Sequence, residues 1–204
     1  MIMAKDAQAL ARSDRNDLGT AVVVAAFAVG FLIYNGIRQI AMLFSTPGAI
    51  TVETPLTAQP FTANIGAGAS ATAHAATLMV SDVSAIGVIF LVLGIVLSTV
   101  GLIVAAVLGA VLCRRLLRGH VFDATNTRLT FAISLVLLIG PLGNVWFTNM
   151  GLNGVFAAAG GEFESHPQLL LDAVPLFVAS IAVGVLVIVF RRGAALQRDA
   201  EGLV

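Results

Sequence analysis

Cys-Arg-Arg-Leu-Leu-Arg-Gly-His-Val-Phe-Asp-Ala-Thr-Asn-Thr-Arg, residues 113–128, is the densest run of positive charge in the chain. Long apolar runs leave from both of its ends. A charged gap of this kind reads as a short cytoplasmic loop joining two membrane hairpins. The pattern predicts an all-α membrane protein built as a four-helix transmembrane bundle, with both termini cytoplasmic. Arg114, Arg115, Arg118 and Arg128 crowd the two helix ends. Gly119 can end the incoming helix by taking a positive φ, and Asp123, Thr125 or Asn126 can cap the outgoing one.

Composition supports that reading. Hydrophobic residues make up 58% of the 204 positions and charged residues 11%, against roughly 25% charged in ordinary soluble domains. So few charges cannot cover so much apolar surface in water, and a bilayer is the economical solvent. The formal net charge is zero, which argues against direct nucleic-acid binding. Cys113 is the single cysteine, so no intrachain disulfide forms, and no CxxC or His/Cys cluster points to a metal.

Read outward from the loop, the chain divides into a polar cytoplasmic tail (1–17), a transmembrane domain (18–190) and a cytoplasmic tail (191–204). The tail 1–17 reads as solvated, with Asp17 as the N-cap behind it. The spans fall at about 18–44, 83–112, 129–147 and 173–190, each of which can cross a hydrocarbon core at 1.5 Å per residue. The outer loops are 45–82 and 148–172. The first is Thr-rich with Pro55 and Pro60, so short β-strands are expected there. Its Gly/Ala-rich stretch 66–76, which includes a lone His74, reads as mobile. The second carries Glu162, Glu164 and His166, and Asp172 is placed to cap span four.

The positive-inside rule sets the orientation. With both tails and 113–128 on one side, that side holds Lys5, Arg12, Arg15, Arg114, Arg115, Arg118, Arg128, Arg191, Arg192 and Arg198, and the other holds only Arg38.

Small residues punctuate the spans. Gly94 and Ser98, the series Gly101, Ala105 and Gly109, and Ser180 with Gly184 recur at spacings of four. Such spacing lines one helix face and lets a neighbouring backbone approach. In span three, Pro141 after Gly140 removes a backbone donor and crowds the carbonyl of Leu137, so a kink or early unwinding is expected. Span one ends in a polar patch of Tyr34, Asn35, Arg38 and Gln39. Two readings of the patch are open: snorkelling to the outer interface, or a polar face toward the bundle.

No nucleotide-binding, metallopeptidase or serine-hydrolase motif is present. His120 and Asp123 share the loop but lack a nucleophile, a metal or a visible pocket. The spans hold no acid–base or metal set, so the chain is read as a non-enzyme without a cofactor. Haem is poorly served because all three histidines lie in loops.

Two stretches carry a family resemblance. Arg-Leu-Leu-Arg-Gly-His-Val-Phe-Asp-Ala-Thr-Asn-Thr-Arg-Leu (115–129) and the tail Ala-Leu-Gln-Arg-Asp-Ala-Glu-Gly-Leu-Val (195–204) resemble a family of bacterial four-span inner-membrane proteins of unknown function. That family has a basic-Gly-x-x-Phe…Asn…Leu loop and a Leu-x-x-acid…Leu-Val/Ile end. Its members are often encoded beside small helix-turn-helix regulators, which implies a cytoplasmic protein partner. It supplies no catalytic residues. The resemblance singles out Gly119, Phe122, Asn126, Leu203 and Val204 as partner-docking candidates.

The expectation is therefore a multi-pass protein of the bacterial inner membrane, an accessory or regulatory partner of another membrane or cytoplasmic protein. A homo-oligomer is open. The alternative is a small transporter or channel using the Gly140-Pro141 break and the span-one patch.

Overall fold

Among the described residues, four helices are long and apolar enough to cross a membrane: Asn16–Leu43, Ala85–Leu117, Ala124–Ala158 and Gln168–Leu196. They belong to a computed structural model that describes residues 2–61, 71–163 and 167–201. In chain order the described elements are α1 (Ile2–Leu43), β1 (Ala49–Phe61), β2 (Ala71–Ser81), α2 (Ala85–Leu117), α3 (Ala124–Ala158), α4 (Pro167–Leu171) and α5 (Val174–Glu201). At 1.5 Å per residue α2 and α3 are each about 50 Å long, well beyond a hydrocarbon core of about 30 Å. Both therefore tilt or project into the headgroup layers.

Several boundaries differ from the sequence reading. Residues 2–17 are helical and continuous with span one, so Asp17 lies inside α1 rather than at its N-cap. Residues 191–201 likewise continue α5. In α3 the helix passes through Pro141 without unwinding and ends only at Ala158. Membrane helices tolerate an interior proline when neighbouring groups re-satisfy the freed backbone.

The chain splits into two compact units. The unit of residues 35–98 and 141–175 holds the sheet. Here β1 and β2 pair antiparallel from Ala49↔Ser81 to Pro55↔Ala75, then resume at Gln59↔Ala73. Three β1 residues oppose one β2 residue across that irregularity. Pro55 and Pro60 are tolerated because both strands of a two-stranded ribbon are edges. Residues 71–76, read as part of a mobile stretch, lie in β2, and 66–70 lie outside the described residues. Alternation points Ile50, Val52 and Val80 at one face. They pack with Val83 and Val92 on a core of Leu43, Leu91 and Val155.

The same unit explains why α3 continues past 147. Its Gly/Asn-rich end faces α2 through small residues. A Cβ on Gly154 would lie 3.0 Å from the Gly87 Cα, and one on Gly151 would lie 2.5 Å from Leu91 Cγ. One on Gly143 would overlap Leu97, and Gly94 abuts Asn144 and Thr148. Leu152 and Val155 are fully buried, and the Phe90 and Phe147 rings stack with centroids 5.9 Å apart. Asn149 Nδ2 donates to Val145 O and Asn153 Nδ2 to Asn149 O, both at 2.9 Å, so these amides follow the helix. Ser84 caps α2, its Oγ accepting from Gly87 N at 3.2 Å. Asp172, expected to cap span four, accepts from Gln168 Nε2 at 2.7 Å in the α4 turn.

The other unit comprises residues 1–34, 99–140 and 176–204. In it, Ser134 and Ser180 cross-link α3 and α5 reciprocally. Ser134 Oγ donates to Ser180 O at 2.9 Å and Ser180 Oγ donates to Ser134 O at 2.8 Å. Gly184 brings α5 against the Ser134 hydroxyl. Gly101 packs on Gly140, whereas Gly109 meets nothing within 4 Å, so the small-residue face on α2 does not extend that far.

Candidate functional site

The α2–α3 loop is a closed polar knot built from local rules. Gly119 has φ +81°. Its N–H donates to Leu116 O at 2.9 Å, and the next N–H, of His120, donates to Arg115 O at 3.1 Å. This pair of bonds is the left-handed glycine cap that satisfies the last carbonyls of a helix. Asp123 begins α3: its Oδ1 accepts from Asn126 N at 2.7 Å, the N-cap bond to the third helical residue. Its other oxygen is ion-paired with Arg115 Nη2.

Asn126 ties the two caps together. Its Oδ1 accepts from Arg115 Nε at 2.8 Å, and its Nδ2 donates to His120 O at 2.6 Å and Val121 O at 3.0 Å. Thr127 Oγ1 donates to Asp123 O, and Thr130 Oγ1 donates to Asn126 O at 2.8 Å. Asn126, read from the sequence as a docking candidate, is 0% exposed, and its amide is engaged within the loop. Gly119 is the turn glycine. The carboxyl of Asp123 is held below the usual carboxylate range, first by the Asn126 N–H and then by the hydrogen bond and charge of Arg115.

Of the five docking candidates, Phe122 alone presents an apolar side chain at the described surface. Its ring packs on Phe190 of α5, centroids 6.2 Å apart, and the absence of a side chain on Gly193 makes room for it. It remains 40% exposed and Val121 beside it 41%. Leu203 and Val204 lie outside the described residues.

Phe122 also walls a cleft of about 500 Å³ shared by the start of α3 and the end of α5. Ala124, Thr127, Arg128, Arg191, Ala194 and Arg198 complete it. Sequence reasoning treated these arginines as orientation signals and missed their convergence. The clue was one of spacing: Arg191 and Arg198 are seven apart, hence on one helical face, a signal that exists only once the tail is known to be helical.

The remaining candidates are dispersed. Tyr34, Arg38 and Gln39 are exposed and Asn35 is half-buried. Gly140 and Pro141 are buried inside an unbroken α3. A second cleft, of about 620 Å³, brings His74 near Glu53 and Asp172, a grouping the sequence did not suggest. Among the described residues no three His, Cys, Asp or Glu side chains are placed to hold a metal. Glu164 and His166 lie outside the described residues, and Glu162 is exposed. Cys113 is a half-buried free thiol.

No protein-family model, no curated protein and no solved structure matches this chain.

Proposed function

We propose that this chain is a non-enzymatic protein of the bacterial inner membrane that acts as an accessory or regulatory partner of another protein, through its cytoplasmic α2–α3 loop. The observation that carries this reading is the rigid presentation of Val121 and Phe122. Two helix caps, one ion pair and a buried asparagine fix a loop of a few residues, and the apolar pair at its tip is left partly exposed. A pre-ordered loop loses little conformational entropy when a partner covers it, and exposed apolar residues within a polar rim suit a small interface. Positive-inside counting supports placing this loop in the cytoplasm.

The test is site-specific photo-crosslinking in cells at native expression, with the photoreactive residue at Val121. Trp146, which is exposed on α3, serves as the control position. The reading expects a discrete protein adduct at Val121 that Phe122→Ala weakens. It also expects the same protein to be retained on purification in mild detergent. Adducts to lipid alone, with repeated recovery of the chain by itself, would count against it.

A further inference from the structure

We infer that the cleft between the start of α3 and the end of α5 binds the phosphate of an anionic phospholipid, through Arg128, Arg191 and Arg198. The charges in the cleft are unbalanced. Arg115 is neutralised by Asp123, but the three cleft arginines have no carboxylate among the residues that line the cleft with them. Among the described residues none of the three forms an ion pair. Guanidinium groups are permanent cations, so three of them lining one cleft with no carboxylate beside them favour an anion there. A guanidinium also presents paired N–H donors that match a phosphate.

Of the rest of the lining, Thr127 gives its hydroxyl proton to Asp123 O, so the arginines carry the recognition. The cleft volume lies within the ordinary range for small-ligand sites.

The position of the cleft at the end of the span favours a lipid over a free anion. Arg191 directly follows Phe190, the last apolar residue of the span. Into the span from there, Ile188 of α5 follows the face of Arg191, three residues away, and Phe131 and Leu135 of α3 follow the face of Arg128, three and seven residues away; all three are exposed. A phosphate held by Arg128 and Arg191 would thus have its acyl chains running into the span along apolar side chains that are left exposed among the described residues. Orientation signals require arginines near this membrane surface but do not require three of them to share one cavity.

The test uses the full-length chain in mild detergent, followed by native mass spectrometry. Phosphatidylglycerol, phosphatidylcholine and inorganic phosphate are titrated separately. The inference expects phosphatidylglycerol to bind more tightly than phosphatidylcholine, with one tight adduct per chain. It also expects inorganic phosphate not to displace it at matched concentration. Arg128→Gln, Arg191→Gln and Arg198→Gln should each weaken phosphatidylglycerol about fivefold, the effect of one basic residue at a membrane surface. Arg192→Gln removes the same charge next door, but its residue does not line the cleft, so affinity should be unchanged. The triple Arg→Lys variant guards against misfolding: it keeps the charge and should still prefer phosphatidylglycerol, more weakly than the native chain. Equal losses for Arg191→Gln and Arg192→Gln would overturn the inference in favour of diffuse attraction. Equal binding of the two lipids, or displacement by inorganic phosphate, would overturn the assignment to a phospholipid.

Discussion

Asn126→Ala is the most informative single change in this chain. The substitution removes one acceptor from Arg115 Nε and two donations, to the carbonyls of His120 and Val121. A lost hydrogen bond to a charged group is worth about 1.5–3 kcal/mol, and each neutral one about 1 kcal/mol. Water reaching the freed carbonyls offsets part of that sum, so a net loss of roughly 3 kcal/mol is expected. The loss is local, because the spans are held by their own packing, and hydrogen exchange in micelles is the suitable assay. The amides to follow are Gly119, His120 and Asn126, which donate within the two caps. They should exchange on the order of a hundredfold faster, while amides in the middle of α2 and α3 keep their protection. Arg115→Ala should act through the same knot, so the double variant should fall short of the sum of the two single losses. Exchange within threefold of the native chain, or strict additivity, would refute the view that Asn126 joins the caps.

Other consequences can be checked together. The depressed Asp123 carboxyl stabilises the loop above its unfolded pKa of about 3.9. That contribution is lost as pH falls through the lower folded value. Exchange of the Asn126 amide, corrected for its intrinsic rate, should therefore be level from neutral pH to about 5, and Asp123→Asn should abolish the acid-induced rise. Gly154→Ala sets a methyl against the Gly87 backbone and should destabilise the chain by about 1–3 kcal/mol in detergent unfolding. Gly109→Ala, made into open space, should be neutral or stabilising by up to about 1 kcal/mol. Ser134→Ala deletes one of the two reciprocal bonds to Ser180 and should reduce stability by about 0.6–1.7 kcal/mol.

What was legible in the sequence was local. The apolar runs marked the spans, Gly119 announced a positive φ, and Asp123 was among the candidate caps. Each of these depends on a few neighbouring residues. What was illegible depended on distant ones. Residues 148–158 resemble a loop because glycine and asparagine are poor helix formers, yet Gly151 and Gly154 are small so that α2 can approach at Leu91 and Gly87. Asn126 was singled out for a surface role, since only its partners reveal that it is buried. The arginine cleft was hidden for a related reason. Charge counts record which side a residue is on, not whether three of them meet.

The account rests on the α2–α3 loop facing the cytoplasm, and cysteine accessibility tests that most directly. In a Cys113→Ala background, Thr125→Cys and Gly160→Cys are labelled with a membrane-impermeant thiol reagent; both positions are exposed. The account predicts that Gly160→Cys reacts in intact cells and that Thr125→Cys reacts only after permeabilisation. Labelling of Thr125→Cys in intact cells, with Gly160→Cys protected, would contradict it.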